Sequence, residues 1–417
     1  MSFRIIGLVV MVCITSVVVG QDWLQFGGPS GDFKVHSKPL ANSWPETGPK
    51  TLWKRSLGDG FSSILHQAGR LYTMYRDGGE EVVVAVSAKN GETIWEHRYA
   101  LEYWKDHDKN GQYFTKGPNA TPVIVDDRII SAGTAGELRC LLLKTGELIW
   151  RRNLPSEYGR RKRVEEYGYS ASPLLYKGHL LVQVGGENHA VIGVDPKDGT
   201  TLWESDADGV SYAQARIINL GGVDQYIFFS PKNVIGMDPN TGRFLWSHPI
   251  PVDNGNHLTP VVKCDENHIW VSSQFDSGGG RLLEITRQGD RWNVDQKWFN
   301  SKLRGSCWTL IRIGDVIYGS AGGHNSSKMT AFNWRTGKIY WQKRGYHMSQ
   351  ALYADGKLLT LDESGDLALA RVSPEKIDVL ARSQVTDAVS WTLPTLIGDR
   401  LFVRDKKHML ALSLGPQ

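Results

Sequence analysis

Apolar residues in this chain fall in short alternating runs separated by turns rich in Gly, Asp and Asn, the pattern of strands joined by tight hairpins. The sharpest instance is Asp238-Pro-Asn-Thr-Gly-Arg-Phe-Leu-Trp246, where a polar turn ends in Gly and a strand follows whose fourth residue is a large aromatic. The same Gly-x-x-x-Trp build returns at 91/95, 146/150, 199/203 and 337/341. Glycine makes a left-handed turn residue inexpensive, and the tryptophan is a packing knob. A second recurring element, small-Thr/Ser-Pro-apolar-apolar, leads into an inner strand at Ala120-Thr-Pro-Val-Ile124, Ala171-Ser-Pro-Leu-Leu175, Leu258-Thr-Pro-Val-Val262 and Thr392-Leu-Pro-Thr-Leu396. Looser copies lie near Tyr212, Trp308 and Gln350. Each lead-in precedes a turn and an apolar strand such as Asp127-Arg-Ile-Ile-Ser131, Asn267-His-Ile-Trp-Val271 or Asp399-Arg-Leu-Phe-Val403.

Four short strands per unit make the blade of a β-propeller. Outer strands are marked by Trp95, Trp150, Trp203, Trp246, Trp298 and Trp341, by a degenerate copy around Val379 to Ser383, and by Trp53. The residues after Lys50 divide into eight units of roughly 46, within the ~40–50 of propeller repeats. The last repeat, Ser390 to Leu414, stops after three strands, so the strand at Leu52 to Leu57 is expected to supply its fourth and close the ring without a free edge. The expected fold is all-β, an eight-bladed propeller of four-stranded blades over residues 51–417.

The motif resembles that of the PQQ-like eight-bladed propeller family, Ala-x-Asp-x-x-Thr-Gly-x-x-x-Trp. It is carried by Gly193-Val-Asp-Pro-Lys-Asp-Gly-Thr-Thr-Leu-Trp203, Gly236-Met-Asp-Pro-Asn-Thr-Gly-Arg-Phe-Leu-Trp246 and Ala331-Phe-Asn-Trp-Arg-Thr-Gly-Lys-Ile-Tyr-Trp341. The segment Asp22-Trp-Leu-Gln-Phe-Gly-Gly-Pro-Ser-Gly-Asp32 resembles the start of secreted members from planctomycetes. The family implies one of two functions: quinoprotein dehydrogenases, which hold pyrroloquinoline quinone and Ca²⁺, or non-enzymatic scaffolds such as BamB. The dehydrogenases carry a vicinal Cys-Cys disulfide, which this chain lacks.

Composition narrows the setting. Arg4 followed by an apolar run from Ile5 to Val19, with Val18 and Gly20 before Gln21, has the build of a secretory signal over residues 1–20. An uncleaved anchor is the alternative, although the run falls short of the ~20 apolar residues of a typical span. Localisation is therefore expected to be periplasmic or extracellular. Residues 21–50, rich in Gly and Pro, read as an arm pinned to the propeller by Trp23, Phe26 and Trp44. Net charge is +4 with opposite charges interleaved, which gives no basic face for nucleic acid. Of the four cysteines, Cys13 lies in the expected signal segment; the three left after cleavage, Cys140, Cys264 and Cys307, are odd in number and far apart, so they imply buried small hydrophobes rather than a disulfide framework.

Candidate chemistry is sparse. Aligning the inner-strand lead-ins puts Asn119, Ser170, Ala213, His257, Cys307 and Trp391 in one column, and a strand's period of two would send that column to one side. Tyr169, Tyr212, Gln214, Asn256, Trp308 and Gln350 flank it. Aromatic walls with amides and one histidine would suit a planar or sugar-like ligand at the funnel. The competing reading is that these residues pack and hydrogen-bond between blades. Asp106-His-Asp-Lys-Asn-Gly111 matches the first half of a calcium loop, with Asp106, Asp108 and Asn110 as ligands, but Phe114 and Gly117 stand where its later ligands belong. Arg160-Arg-Lys-Arg163 is the one dense basic run, a docking point for an anionic partner or a solvated loop. Ser277-Gly-Gly-Gly280 is a turn, because no helix start follows it. Triad, metalloprotease, Walker and dinucleotide patterns are absent.

The sequence thus favours an exported, monomeric propeller that binds a protein or small ligand, including a sugar, on its funnel face. The alternative is a quinone- and Ca²⁺-dependent oxidoreductase acting on an alcohol or sugar.

Overall fold

In a computed structural model, the described residues are 22–101, 117–159, 168–186, 189–207, 209–252, 256–275, 278–306, 309–322 and 327–416. The signal segment, the calcium-loop candidate and the basic run at 160–163 lie outside them.

The first blade shows how the sequence builds all of them. Its strands are Leu65–Gln67, Arg70–Asp77, Glu80–Ser87 and Thr93–Ala100, paired antiparallel in that order. The third strand carries an unbroken Val82-Val-Val-Ala-Val86, buried throughout because neighbouring blades cover both of its faces. The fourth alternates, since only one face is covered, and buries Trp95 and Tyr99. Blades 2 to 7 repeat this order from Val123–Val125, Leu174–Tyr176, Arg216–Leu220, Val262–Lys263, Leu310–Ile313 and Gln350–Ala354. Blade 8 takes Thr395–Ile397, Arg400–Arg404 and His408–Ser413 from the C-terminus and Lys50–Ser56 from the N-terminus. The ring of eight four-stranded blades is therefore closed by both chain ends, as the split repeat requires. Between blades 2 and 3 lies a short helix, Leu154–Tyr158, capped by the Asn153 side chain accepting from the Ser156 N–H at 3.0 Å.

The Gly-x-x-x-Trp motif joins two blades rather than one. In each copy the Gly has positive φ, from 69° to 81°, and its N–H closes a turn on the carbonyl four residues back. Where Asp or Asn stands at that earlier position, its side chain accepts a second N–H, as Asp238 Oδ1 does from Asn240 N at 2.8 Å. The turn's Gly then lies under the tryptophan of the preceding blade. A Cβ on Gly199 would come 2.9 Å from the Trp150 ring, and one on Gly337 2.9 Å from the Trp298 ring. In every blade the outer strand carries an extra residue just before the docking position, a bulge that aims the side chain toward the next blade. Five indoles finish the join by donating to a carbonyl of the next blade: Trp53 to Ala88, Trp95 to Leu143, Trp150 to Pro196, Trp298 to Trp334 and Trp341 to Ser373, at 3.0 to 3.2 Å.

The N-terminal arm crosses one mouth of the channel. Trp23 exchanges backbone bonds with His66 of blade 1, and the Leu24 carbonyl accepts from Ile124 N of blade 2. Phe33 spans the opening: its ring lies 5.9 Å from the Arg216 guanidinium of blade 4, while its carbonyl accepts from Tyr353 N of blade 7 at 2.9 Å. Ala41 N then bonds the Leu414 carbonyl of blade 8. Trp23 and Phe33 are almost wholly buried in the largest apolar cluster, and Phe26 and Trp44 pack against it. These contacts fall at the ends of the inner strands, which leaves the strand lead-ins facing the opposite mouth.

Candidate functional site

The open face is built from the inner-strand lead-ins and the loops between second and third strands. The lead-ins form a hydrogen-bonded chain around the channel. Ser63 N donates to Thr121 Oγ1 at 3.1 Å, Thr121 N to Ser172 Oγ at 2.9 Å, and Ser172 N to Gln214 Oε1 at 2.7 Å. The Thr309 hydroxyl bonds both backbone groups of Ala351, and Thr392 Oγ1 donates to the Phe61 carbonyl at 3.3 Å. The hydroxyls of Thr121, Ser172 and Thr309 are thus inter-blade fasteners, whereas the buried hydroxyl of Thr259, in the copy before Pro260, has no hydrogen-bond partner.

The column of candidate residues is not set by a strand pleat, because Asn119, Ser170, Ala213, His257 and Trp391 all precede their strands in irregular backbone. Asn119, Ser170, Tyr212 and Asn256 are half-buried at the mouth. Tyr169 is buried in the apolar cluster of blades 2 and 3, with Gly136 against its ring. The Gln214 amide pairs with both backbone groups of Ser172, imitating a strand partner. His257 is fully buried, stacked 4.8 Å from Phe229, and its backbone exchanges two bonds with the Ser211 hydroxyl. Burial, with Arg281 nearby, pushes the His257 imidazole down to about 4, so it is neutral at neutral pH. Gln350 Nε2 donates to the Trp391 backbone carbonyl at 2.9 Å. Cys307, Trp308, Asp106, Asp108 and Asn110 lie outside the described residues. Cys140 and Cys264 are buried free thiols, both pushed up by burial, Cys140 to about 12.

Chemistry gathers instead between blades 7 and 8, around the candidate Trp391 and two residues the sequence did not single out, Glu363 and His347. Glu363, in the loop between the second and third strands of blade 7, accepts from Trp391 Nε1 at 3.1 Å and lies 2.8 Å from His347 Nδ1. Phe61 of blade 1 packs on Trp391 with ring centroids 5.1 Å apart. The loop is shaped by Asp362, whose Oδ1 accepts from the Ser364 and Asp366 N–H groups, both at 3.0 Å, and from the Ser364 hydroxyl. Asp405 caps the equivalent loop of blade 8 the same way. That repeated aspartate turn was a legible signal for this part of the face. The result is a half-exposed carboxylate held by an imidazole and an indole, with aromatic surface beside it: a fixed acceptor for polar or cationic groups.

The opposite mouth has a cavity of about 240 Å³ between the arm and blades 3 and 4, lined by Phe26, Ser30, Phe33, Leu175, Gln214 and Arg216. Burial lowers the pKa of Arg216, with Asp32 partly opposing it.

A family model described as the outer membrane protein assembly factor BamB matches residues 44–159 and 79–343, most of the chain. The chain belongs to this BamB-type family of PQQ-like propellers. Within it, the outer membrane protein assembly factor BamB of Alkalilimnicola ehrlichii is 25% identical over 180 residues, 41% of this chain and 44% of the relative. The chain thus matches less than half the length of that relative. Among solved structures, BamB from Moraxella catarrhalis superposes with a TM-score of 0.60 at 16% identity, covering 87% of this chain and 99% of that one. A quinohemoprotein alcohol dehydrogenase from Comamonas testosteroni reaches 0.64 at 12% identity, covering 95% of this chain and 81% of that one. At such identities these two likenesses speak for the fold alone.

The donor set does not fit the quinone's calcium. Ca²⁺ takes about 6–8 oxygen ligands. Glu363 is a carboxylate on this mouth with an aromatic neighbour, and its two oxygens are already engaged by His347 and Trp391.

Proposed function

We propose that this protein is an exported binding scaffold whose open face recognises a polypeptide partner in the cell envelope. The observation that carries this reading is the asymmetry of the channel. The arm covers one mouth through backbone bonds to blades 1, 2, 7 and 8. The other mouth keeps half-buried polar and aromatic groups, among them Tyr212, Asn256, Trp391 and Glu363, on loops held by a rigid ring. Recognition requires shape and fixed hydrogen-bonding groups rather than a reactive centre, and blades that interlock through tryptophan supply the rigidity. Family membership supports the same direction, since relatives bear the name outer membrane protein assembly factor. Among the described residues no helix is long and apolar enough to cross a membrane.

The test is complementation. In cells deleted for the gene, the abundance of outer-membrane β-barrel proteins should fall and return with the wild-type chain, but not with Trp391→Ala or Glu363→Lys of unchanged thermal stability. Full rescue by both variants, or no effect of the deletion, overturns the reading.

A further inference from the structure

Asp387, Asp405 and His408 stand together on the open face of blade 8. Asp387 lies in the loop that enters the blade, and the other two flank the turn before its third strand. Each offers one ligand atom, and the three atoms lie within 4.8 Å of one another.

One oxygen of Asp405 closes a hydrogen-bonded turn, and the rest of the cluster has the features of a ligand set. The Asp405 side chain is fully buried, and its Oδ1 accepts from the Lys407 and His408 N–H groups, both at 2.6 Å. Its Oδ2 is buried with no hydrogen-bond partner, and so is His408 Nδ1. These two atoms face each other at 3.5 Å, and Asp387 Oδ1 lies 3.8 Å from the same Nδ1. Both separations exceed the roughly 2.7–3.2 Å of a hydrogen bond. Two donors on one tetrahedral zinc, each about 2.0–2.2 Å from the metal, stand roughly 3.3–3.6 Å apart. A buried carboxylate oxygen without a donor is costly, and a cation between it and the imidazole removes that cost.

The surroundings hold the set in place. The Lys406 N–H donates to the Val389 carbonyl at 3.2 Å, tying the Asp387 loop to the Asp405 turn. Arg404, next in the chain, feels the Asp405 charge but directs its guanidinium hydrogen bonds to the carbonyls of Ser62, Met74 and Gly58 and to the Thr73 hydroxyl, not to Asp405 Oδ2. Two carboxylates and one imidazole nitrogen favour a borderline divalent ion over Ca²⁺ or Mg²⁺, which prefer oxygen throughout. A fourth position would face solvent beside Asp387, whose side chain is 76% exposed.

We propose that Asp387, Asp405 and His408 form a binding site for a divalent transition-metal ion, Zn²⁺ foremost, which fastens the loop leading into blade 8. This goes beyond the scaffold reading and does not depend on it.

The test uses the purified mature chain, stripped with chelator and titrated with Zn²⁺ by calorimetry and with Co²⁺ by visible absorption. The expected result is one saturable site per chain, a higher Tm with Zn²⁺ and none with Ca²⁺, and at least tenfold weaker binding in His408→Gln and in Asp387→Asn. Absence of saturable Zn²⁺ binding overturns the proposal. So does one-to-one binding of unchanged affinity in both variants, which would place the ion on other histidines. Should His408→Gln fail to fold, the exposed Asp387→Asn still decides the question.

Discussion

Trp53, on the strand that closes the ring, lies against Gly91 of the first blade so closely that a Cβ on the glycine would come 2.7 Å from the indole. The same indole donates to the Ala88 carbonyl at 3.2 Å, and Arg55 on the same strand donates to the Gly91 carbonyl at 2.9 Å. The glycine is therefore required twice, for its φ of 74° and for the ring above it.

Replacement of Gly91 by Ala separates those two demands when compared with Gly178→Ala, a turn glycine with φ of 88° and nothing within 4 Å of its absent Cβ. Both variants should lose roughly 1–2 kcal/mol for left-handed strain. Gly91→Ala should lose about 1–3 kcal/mol more through overpacking. Equal losses in chemical denaturation would show that the indole contact contributes nothing.

Trp246 is nearly fully buried and donates to Gln225 Oε1 at 2.6 Å. Trp246→Ala should cost about 3–5 kcal/mol, the range for a buried aromatic removed from a core. A thermal transition unchanged from wild type would contradict its place in the blade.

The arm should be separable from the ring. Deleting residues 22–41 should leave the β-sheet circular dichroism intact, because closure rests on Lys50–Ser56 pairing with His408–Ser413. The N–H groups of Ile124, His66 and Tyr353, which donate to the arm, should then exchange faster with deuterium. Unchanged protection at all three would mean that the arm does not cover that mouth.

Buried His257 gives a defined pH signature. Its pKa is lowered to about 4 from an ordinary value of 6.5, so between those limits the unfolded chain binds the extra proton. The contribution is fully present above about pH 6.5 and is lost as pH falls toward about 4, at most roughly 3 kcal/mol. The stability of wild type should therefore drop more steeply from pH 6.5 to 4.5 than that of His257→Phe, which keeps a ring on Phe229. Parallel pH profiles would contradict the buried neutral imidazole.

The sequence revealed the ring because one motif repeats both halves of a contact, the glycine of one blade and the tryptophan of the blade before it. It did not reveal which copies complete the hydrogen bond. The Pro239 carbonyl that would receive Trp203 is taken by His179 Nε2 at 2.8 Å, with the two rings edge to face. Trp246 turns to Gln225 because blade 5 replaces the glycine turn with the long hairpin Gly279–Gln288 and Arg291–Asn300. The face was less legible still. His347, Glu363 and Trp391 are far apart in sequence and meet only when blades 7 and 8 pack side by side. Aligning strand lead-ins found Trp391 and Gln350 but passed over the loops between second and third strands, where Glu363 and Asp405 sit.

The scaffold reading turns on which surface meets a partner. A photo-crosslinking residue placed in the native cell envelope at Asn119, Tyr212 or Trp391 on the open face should give a discrete protein adduct. The same residue at Ile94 or Tyr340, exposed on the outer strands, should give none. Adducts from the outer strands alone, or from no position, would contradict recognition through the open face.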